Sequence, residues 1–154
     1  MAFIAFAISS CGLFKSADDL FAEAEIKRNS GESKAALVLL QKVVSKYGED
    51  KIAPEAQYLI AEIYYRDMRD FSKAIDEYGI LRKIYKDNKQ VPFALFMQGF
   101  IYANMLLDFP QAEAHYNEFL ELYVEHELAK SVTFELKYLG RDVKDIPALK
   151  HLTQ

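Results

Sequence analysis

The side chains best suited to chemistry are few in this chain and stand apart. Cys11 is the only cysteine, so no disulfide can close within the chain and no thiolate metal site can be assembled. His115, His126 and His151 have no partner at metal-ligand spacing on a shared helix face and read as surface histidines. Acid–base catalysis needs two carboxyls converging on one point. The acids Asp18-Asp19, Glu49-Asp50 and Asp76-Glu77 are sequence neighbours, and neighbours on a helix point apart, so they read as helix caps and solvated faces. Six glycines, spread singly, form no loop that could cradle a phosphate. No serine sits in a nucleophile motif. No catalytic group, metal ligand set, cofactor site or small-molecule substrate site is therefore expected. The formal net charge of -4 speaks against nucleic acid, which rewards basic faces through counterion release. The cluster Arg82, Lys83, Lys86 and Lys89 reads as a solvated helix face.

The exception is the chemistry of one sulfur. Phe3 to Ile8 is an apolar run followed by Ser9, Ser10 and Cys11, far shorter than the ~20 residues that span a bilayer. Small residues before a cleavage point are the mark of a secretory signal. Ile8-Ser9-Ser10-Cys11 resembles a bacterial lipobox, an aliphatic residue and two small ones ahead of the cysteine to be lipidated. The resemblance implies lipidation of Cys11 with cleavage before it, so that residues 1–10 are a signal-peptide remnant and 11–16 a lipidated tether. No Asp follows Cys11, and in such lipoproteins that implies the periplasmic face of an outer membrane. Several acyl chains, at about 0.8 kcal/mol per buried methylene, anchor such a protein firmly.

The rest of the chain is built to fold. A chain of 154 residues, half of it apolar and rich in Tyr and Phe, is long enough for one well-buried core. A shift of 38 residues lays Pro54, Ala56, Ile63, Tyr64, Asp70, Phe71, Ala74, Tyr78 and Tyr85 on Pro92, Ala94, Ile101, Tyr102, Asp108, Phe109, Ala112, Tyr116 and Tyr123. Small Ala61 meets small Gly99. A fainter earlier copy places Ala36, Leu40, Val43 and Tyr47 on Ala74, Tyr78, Leu81 and Tyr85. Self-similarity at a fixed period marks a repeat architecture. Within each copy the apolar residues recur at three and four, the spacing of amphipathic helices. Pro54 and Pro92 suit first helical turns, and helices are expected near 17–29, 32–47, 53–67, 71–86, 92–106 and 109–124.

Two helices per unit, a small residue where they cross, and a tyrosine before the turn resemble the tetratricopeptide repeat. Ala61, Tyr64, Ala74, Tyr78 and Leu81 carry the likeness in one copy, and Gly99, Tyr102, Ala112, Tyr116 and Phe119 in the next. The likeness implies an all-α, right-handed α-solenoid of three hairpins over residues 17–140: 17–47, 53–86 and 92–124. A C-terminal capping helix follows at 127–139, ended by Gly140, with residues 141–154 as a tail. In such arrays the first helices of successive hairpins line a concave groove. By repeat register Phe21, Glu25, Arg28, Tyr58, Glu62, Tyr65, Phe93, Phe96 and Phe100 are the candidates for it. Aromatics there would grip an apolar or extended peptide or a partner helix. Equally, Phe93, Phe96 and Phe100 could pack under the capping helix. Tyr, Phe and Glu do not suit the carboxylate clamp of the chaperone-tail version of this fold, which uses Lys, Arg and Asn.

Lipobox and helical array together resemble the tetratricopeptide lipoproteins of Gram-negative envelopes, of the outer-membrane-assembly and Tol–Pal-associated types. The resemblance implies a non-catalytic scaffold, lipid-anchored at the outer membrane, with a protein or peptide partner in the envelope. The alternative is a soluble cytoplasmic adaptor in which residues 1–11 are merely an N-terminal helix. A third is an enzyme whose site a partner subunit completes.

Overall fold

The computed structural model describes residues 15–141; Cys11, the signal-like residues 1–10 and the tail beyond Arg141 lie outside the described residues. The described residues form helices α1 (Ala17–Asn29), α2 (Ser33–Lys46), α3 (Ala53–Glu62), α4 (Phe71–Ile84), α5 (Val91–Ile101), α6 (Phe109–Leu122) and α7 (Ala129–Lys137). Successive helices pack on one another along the chain, giving an all-α solenoid of hairpins. Five of the seven helix starts, those of α1, α3, α4, α5 and α6, carry their own signal. Ser16 and Asp19 form a capping box on α1. Asp70 and Asp108 accept the backbone N–H of Lys73 and Gln111 at the starts of α4 and α6. Pro54 and Pro92 occupy first turns, where no intrahelical donor is lost.

The ends of α3 and α5 differ from the plain helices expected. Both widen into π-helical turns, Ile63–Met68 and Tyr102–Leu106. Each turn is closed by a non-glycine residue in the left-handed region, Arg69 at φ 54° and Leu107 at φ 55°. The next amide then reaches back six residues, Asp70 N–H to the Tyr64 carbonyl and Asp108 N–H to that of Tyr102, both at 2.9 Å. A left-handed L-residue costs roughly 1–2 kcal/mol. The same device at both ends of the 38-residue shift belongs to the repeat.

The loops between hairpins repeat as faithfully. In the first, Asp50 N–H bonds the Tyr47 carbonyl and Ala53 N–H that of Asp50. Asn88 and Val91 do the same after Tyr85, and His126 and Ala129 after Tyr123. A side-chain acceptor steadies each loop: Asp50 takes the Ile52 amide, Asn88 that of Gln90, and His126 Nδ1 that of Leu128. The third loop sets α7 in phase with α3 and α5. It also places Glu127 and Leu128 ahead of the helix rather than inside it.

Three clusters of buried side chains fill the solenoid in turn, around Leu20 and Leu40, around Tyr78 and Leu81, and around Tyr116 and Phe119. Where the two helices of a hairpin cross, a small residue lets the backbones close: Ala24, Ala61 and Gly99 are all buried. A methyl group on Gly99 would fall 2.7 Å from Cε1 of the Tyr116 ring. The position 38 residues on is Lys137, and it is exposed, as is Thr133 where α5 has buried Leu95. So α7 buries Val132 against the third cluster and turns a polar face outward, as a terminal cap must.

The crossing makes a testable distinction between two helical positions. Gly99→Ala is expected to lower stability by about 1–3 kcal/mol through overpacking, although alanine favours helix by up to ~1 kcal/mol. Lys137→Ala should stay within ~0.5 kcal/mol of the parent, as surface changes do. Urea unfolding followed by far-ultraviolet circular dichroism measures both, and a neutral Gly99→Ala would show that the helices do not meet tightly there.

Candidate partner-binding groove

The odd-numbered helices each bring one aromatic side chain to the same repeat position. Phe21 on α1, Tyr58 on α3, Phe96 on α5 and Phe134 on α7 follow one another at 37, 38 and 38 residues. The first three are half-buried, and Phe134 is 37% exposed. Sequence reasoning missed Phe134 because the last helix was read only as a cover. The signal was available, since Phe134 stands 38 residues after Phe96. One helical turn on, the same face carries Glu25, Glu62, Phe100 and Tyr138.

The middle of this face is a closed polar group. Tyr58 meets the Tyr78 ring edge-on at 5.6 Å between centroids. The Tyr78 hydroxyl, from α4, donates to Glu62 Oε1 at 2.6 Å, and Arg66 Nε donates to the other oxygen. Glu62 is 8% exposed, so its charge is held by the chain itself, which is what makes a buried carboxylate tolerable. Burial pushes the Tyr58 hydroxyl up to about 12, and the nearby Glu62 charge adds to it. The Tyr78 hydroxyl is raised further by the same two causes.

Other predicted positions are taken up by structure. Arg28 donates to Asp67 at 2.9 and 3.3 Å, and Ser33 joins them at 3.0 Å, tying α1 and α2 to the π turn of α3. Burial pushes the Asp67 carboxyl up, but the bonds from Arg28 and Ser33 outweigh it and hold it below its ordinary value. Tyr65 lies 6.2 Å from Phe71, with the Arg66 guanidinium over its ring. Phe93 stands edge-on to His126 at 5.2 Å and packs against the loop before α7. His126 also abuts Phe119, so this histidine is a half-buried part of the packing rather than a surface residue. Phe96 packs on the third cluster, 6.3 Å from Tyr116 and 5.9 Å from Phe100. Phe96 and Phe100 are thus neither free nor enclosed. Each keeps part of its ring in solvent, as a contact residue on a rigid base would. Glu25 is exposed.

The acids that looked like caps are used locally. Asp19 completes the capping box and Asp50 its loop, while Glu77 accepts from the buried Gln57 amide at 2.6 Å. No helix among the described residues is long and apolar enough to cross a membrane, α5 included.

Comparison with known proteins agrees with this geometry. None of the curated proteins matches the chain. Residues 55–88, from the first turn of α3 into the loop after α4, match the tetratricopeptide repeat family. The matched stretch contains Tyr58, Ala61, Glu62 and Tyr78, the residues of the crossing and of the closed polar group. The described residues are therefore an all-α solenoid of helical hairpins, and residues 55–88 match a tetratricopeptide repeat, a module whose ordinary work is to bind protein or peptide partners.

Proposed function

We propose that this protein is a lipid-anchored scaffold of a bacterial cell envelope, and that its aromatic face holds a segment of another envelope protein. The aromatic ladder Phe21, Tyr58, Phe96 and Phe134 carries the reading. Half-exposed aromatic rings on a rigid helical base offer large apolar contact area at small entropic cost, and such residues dominate binding energy at interfaces. The tetratricopeptide match over residues 55–88 supports protein binding as the task. Ile8-Ser9-Ser10-Cys11 supports the anchor, at the periplasmic face of an outer membrane. Lipidation would keep the groove within reach of the membrane surface and confine its partners to the envelope.

Two experiments separate the halves of this proposal. Cells fed a clickable fatty acid should label the wild-type protein and not Cys11→Ala. Label on neither would sink the anchor and favour a soluble cytoplasmic adaptor. For the groove, Phe96→Glu and the more exposed Phe134→Ala should each weaken capture of a crosslinked partner at least tenfold, the ~1.4 kcal/mol or more of a contact aromatic, while far-ultraviolet circular dichroism stays unchanged. If Phe96→Glu unfolds the protein and Phe134→Ala captures normally, the rings are core and the groove reading fails.

A further inference from the structure

The first and second hairpins are locked together by charge, and the second and third are not. At the first junction Arg28 of α1 and Ser33 of α2 close on Asp67, in the π turn that follows α3. One repeat on, at offsets of 37, 38 and 38 residues, their counterparts are Tyr65, Phe71 and Met105. These three wall an open cavity of about 230 Å³, and Arg66 and Arg69 complete its lining. The ionic lock of one junction is thus replaced at the next by an apolar recess with two cations on it.

Both arginines have donors to spare. Arg66 gives Nε to Glu62, yet its side chain is 60% exposed. Arg69 makes no ion pair among the described residues, and its guanidinium lies 5.4 Å from the centre of the Phe71 ring. The acids nearby are already spent. Glu62 serves Tyr78 and Arg66, Asp67 serves Arg28, and Asp70 caps α4 and pairs with Lys73. Arg69 also stands at φ 54°, where an L-residue carries a backbone cost that glycine would not.

We propose that this cavity is an anion-accepting subsite, in which Arg66 and Arg69 receive the carboxylate of an aspartate or glutamate side chain of the bound partner segment. The incoming carboxylate takes the part that Asp67 plays one junction earlier, at the place where this chain has Met105. Guanidinium groups suit it, because their paired donors match the two carboxylate oxygens. The walls of Tyr65, Phe71 and Met105 hold off water, which strengthens a charged contact. Arg66 belongs as well to the closed polar group of Glu62 and Tyr78, on which Tyr58 packs, so the cavity adjoins the aromatic row. The favoured segment lays apolar residues along the row and an acid in the cavity. The subsite rests on the reading of this chain as a binder of protein segments.

Panning the full chain against a random linear-peptide display library tests it. The net charge of -4 disfavours acidic peptides in general, so enrichment of Asp or Glu beside apolar residues is a local signal. Arg69→Gly should bind a selected acidic peptide about tenfold more weakly or worse, as expected when a charge-assisted contact is removed. Its Tm should stay unchanged or rise, because glycine relieves the left-handed backbone. A fall of several degrees would mean that Arg69 is already paired within the chain, and would overturn the subsite. Met105→Asp, which supplies the missing acid from the chain itself, should abolish the acid preference. Peptides without an acid, bound in a Phe96-dependent way and untouched by Arg69→Gly, would overturn the subsite and leave the groove standing. Acidic peptides lost in Arg69→Gly but indifferent to Phe96→Ala and Phe134→Ala would do the reverse. No peptide with either dependence would overturn both.

Discussion

Everything in this solenoid depends on how closely the two helices of a hairpin can cross. At Gly99 the aromatic ring of Tyr116 occupies the space that a side chain would need. That closeness lets the tyrosine of the second helix pass beneath the first, and in the middle hairpin its hydroxyl emerges against Glu62. One small residue therefore sets the packing of the hairpin, the burial of its largest ring and the base on which the aromatic row stands. Dispersion forces fall steeply with separation, so a looser crossing would weaken all three together.

The repeat is kept through backbone chemistry more than through residue identity. Asp50 and Asn88 differ in charge and His126 differs from both in shape, yet each offers an acceptor to the amide two residues on. Arg69 and Leu107 are equally unlike, yet both take the left-handed turn that ends a π-helical segment. What recurs is the requirement for an acceptor in the loop and a reversal after the wide turn. The Asp70 and Asp108 caps then start the next helix immediately.

This explains what could and could not be read in advance. Helix order, the small crossing residues and the proline starts are written in side-chain type and were legible. The π turns were not, because Ile63–Met68 and Tyr102–Leu106 keep the apolar spacing of an ordinary helix while their hydrogen bonds shift. Candidate groove residues were legible as a register, but not their burden: Arg28 is spent on Asp67 and Phe93 on His126, contacts made across 39 and 33 residues of chain (67 − 28 and 126 − 93). The Tyr116 hydroxyl, buried without a hydrogen-bond partner among the described residues, was invisible, since it shows only when the partner of Tyr78 is known.

The last helix has to satisfy two demands that pull apart. A repeat array must end in a polar face, and a binding face must continue in register to its edge. Helix α7 meets both because its sides are independent. Lys137 and Thr133 fall where the partner helix of a hairpin would pack, and they are hydrated. Phe134 falls on the aromatic row, and Val132 holds the helix to the third cluster with no exposure at all. Phe134 at the end of the array thus continues the aromatic row that the repeats begin, which makes the cap part of that row and not only its boundary.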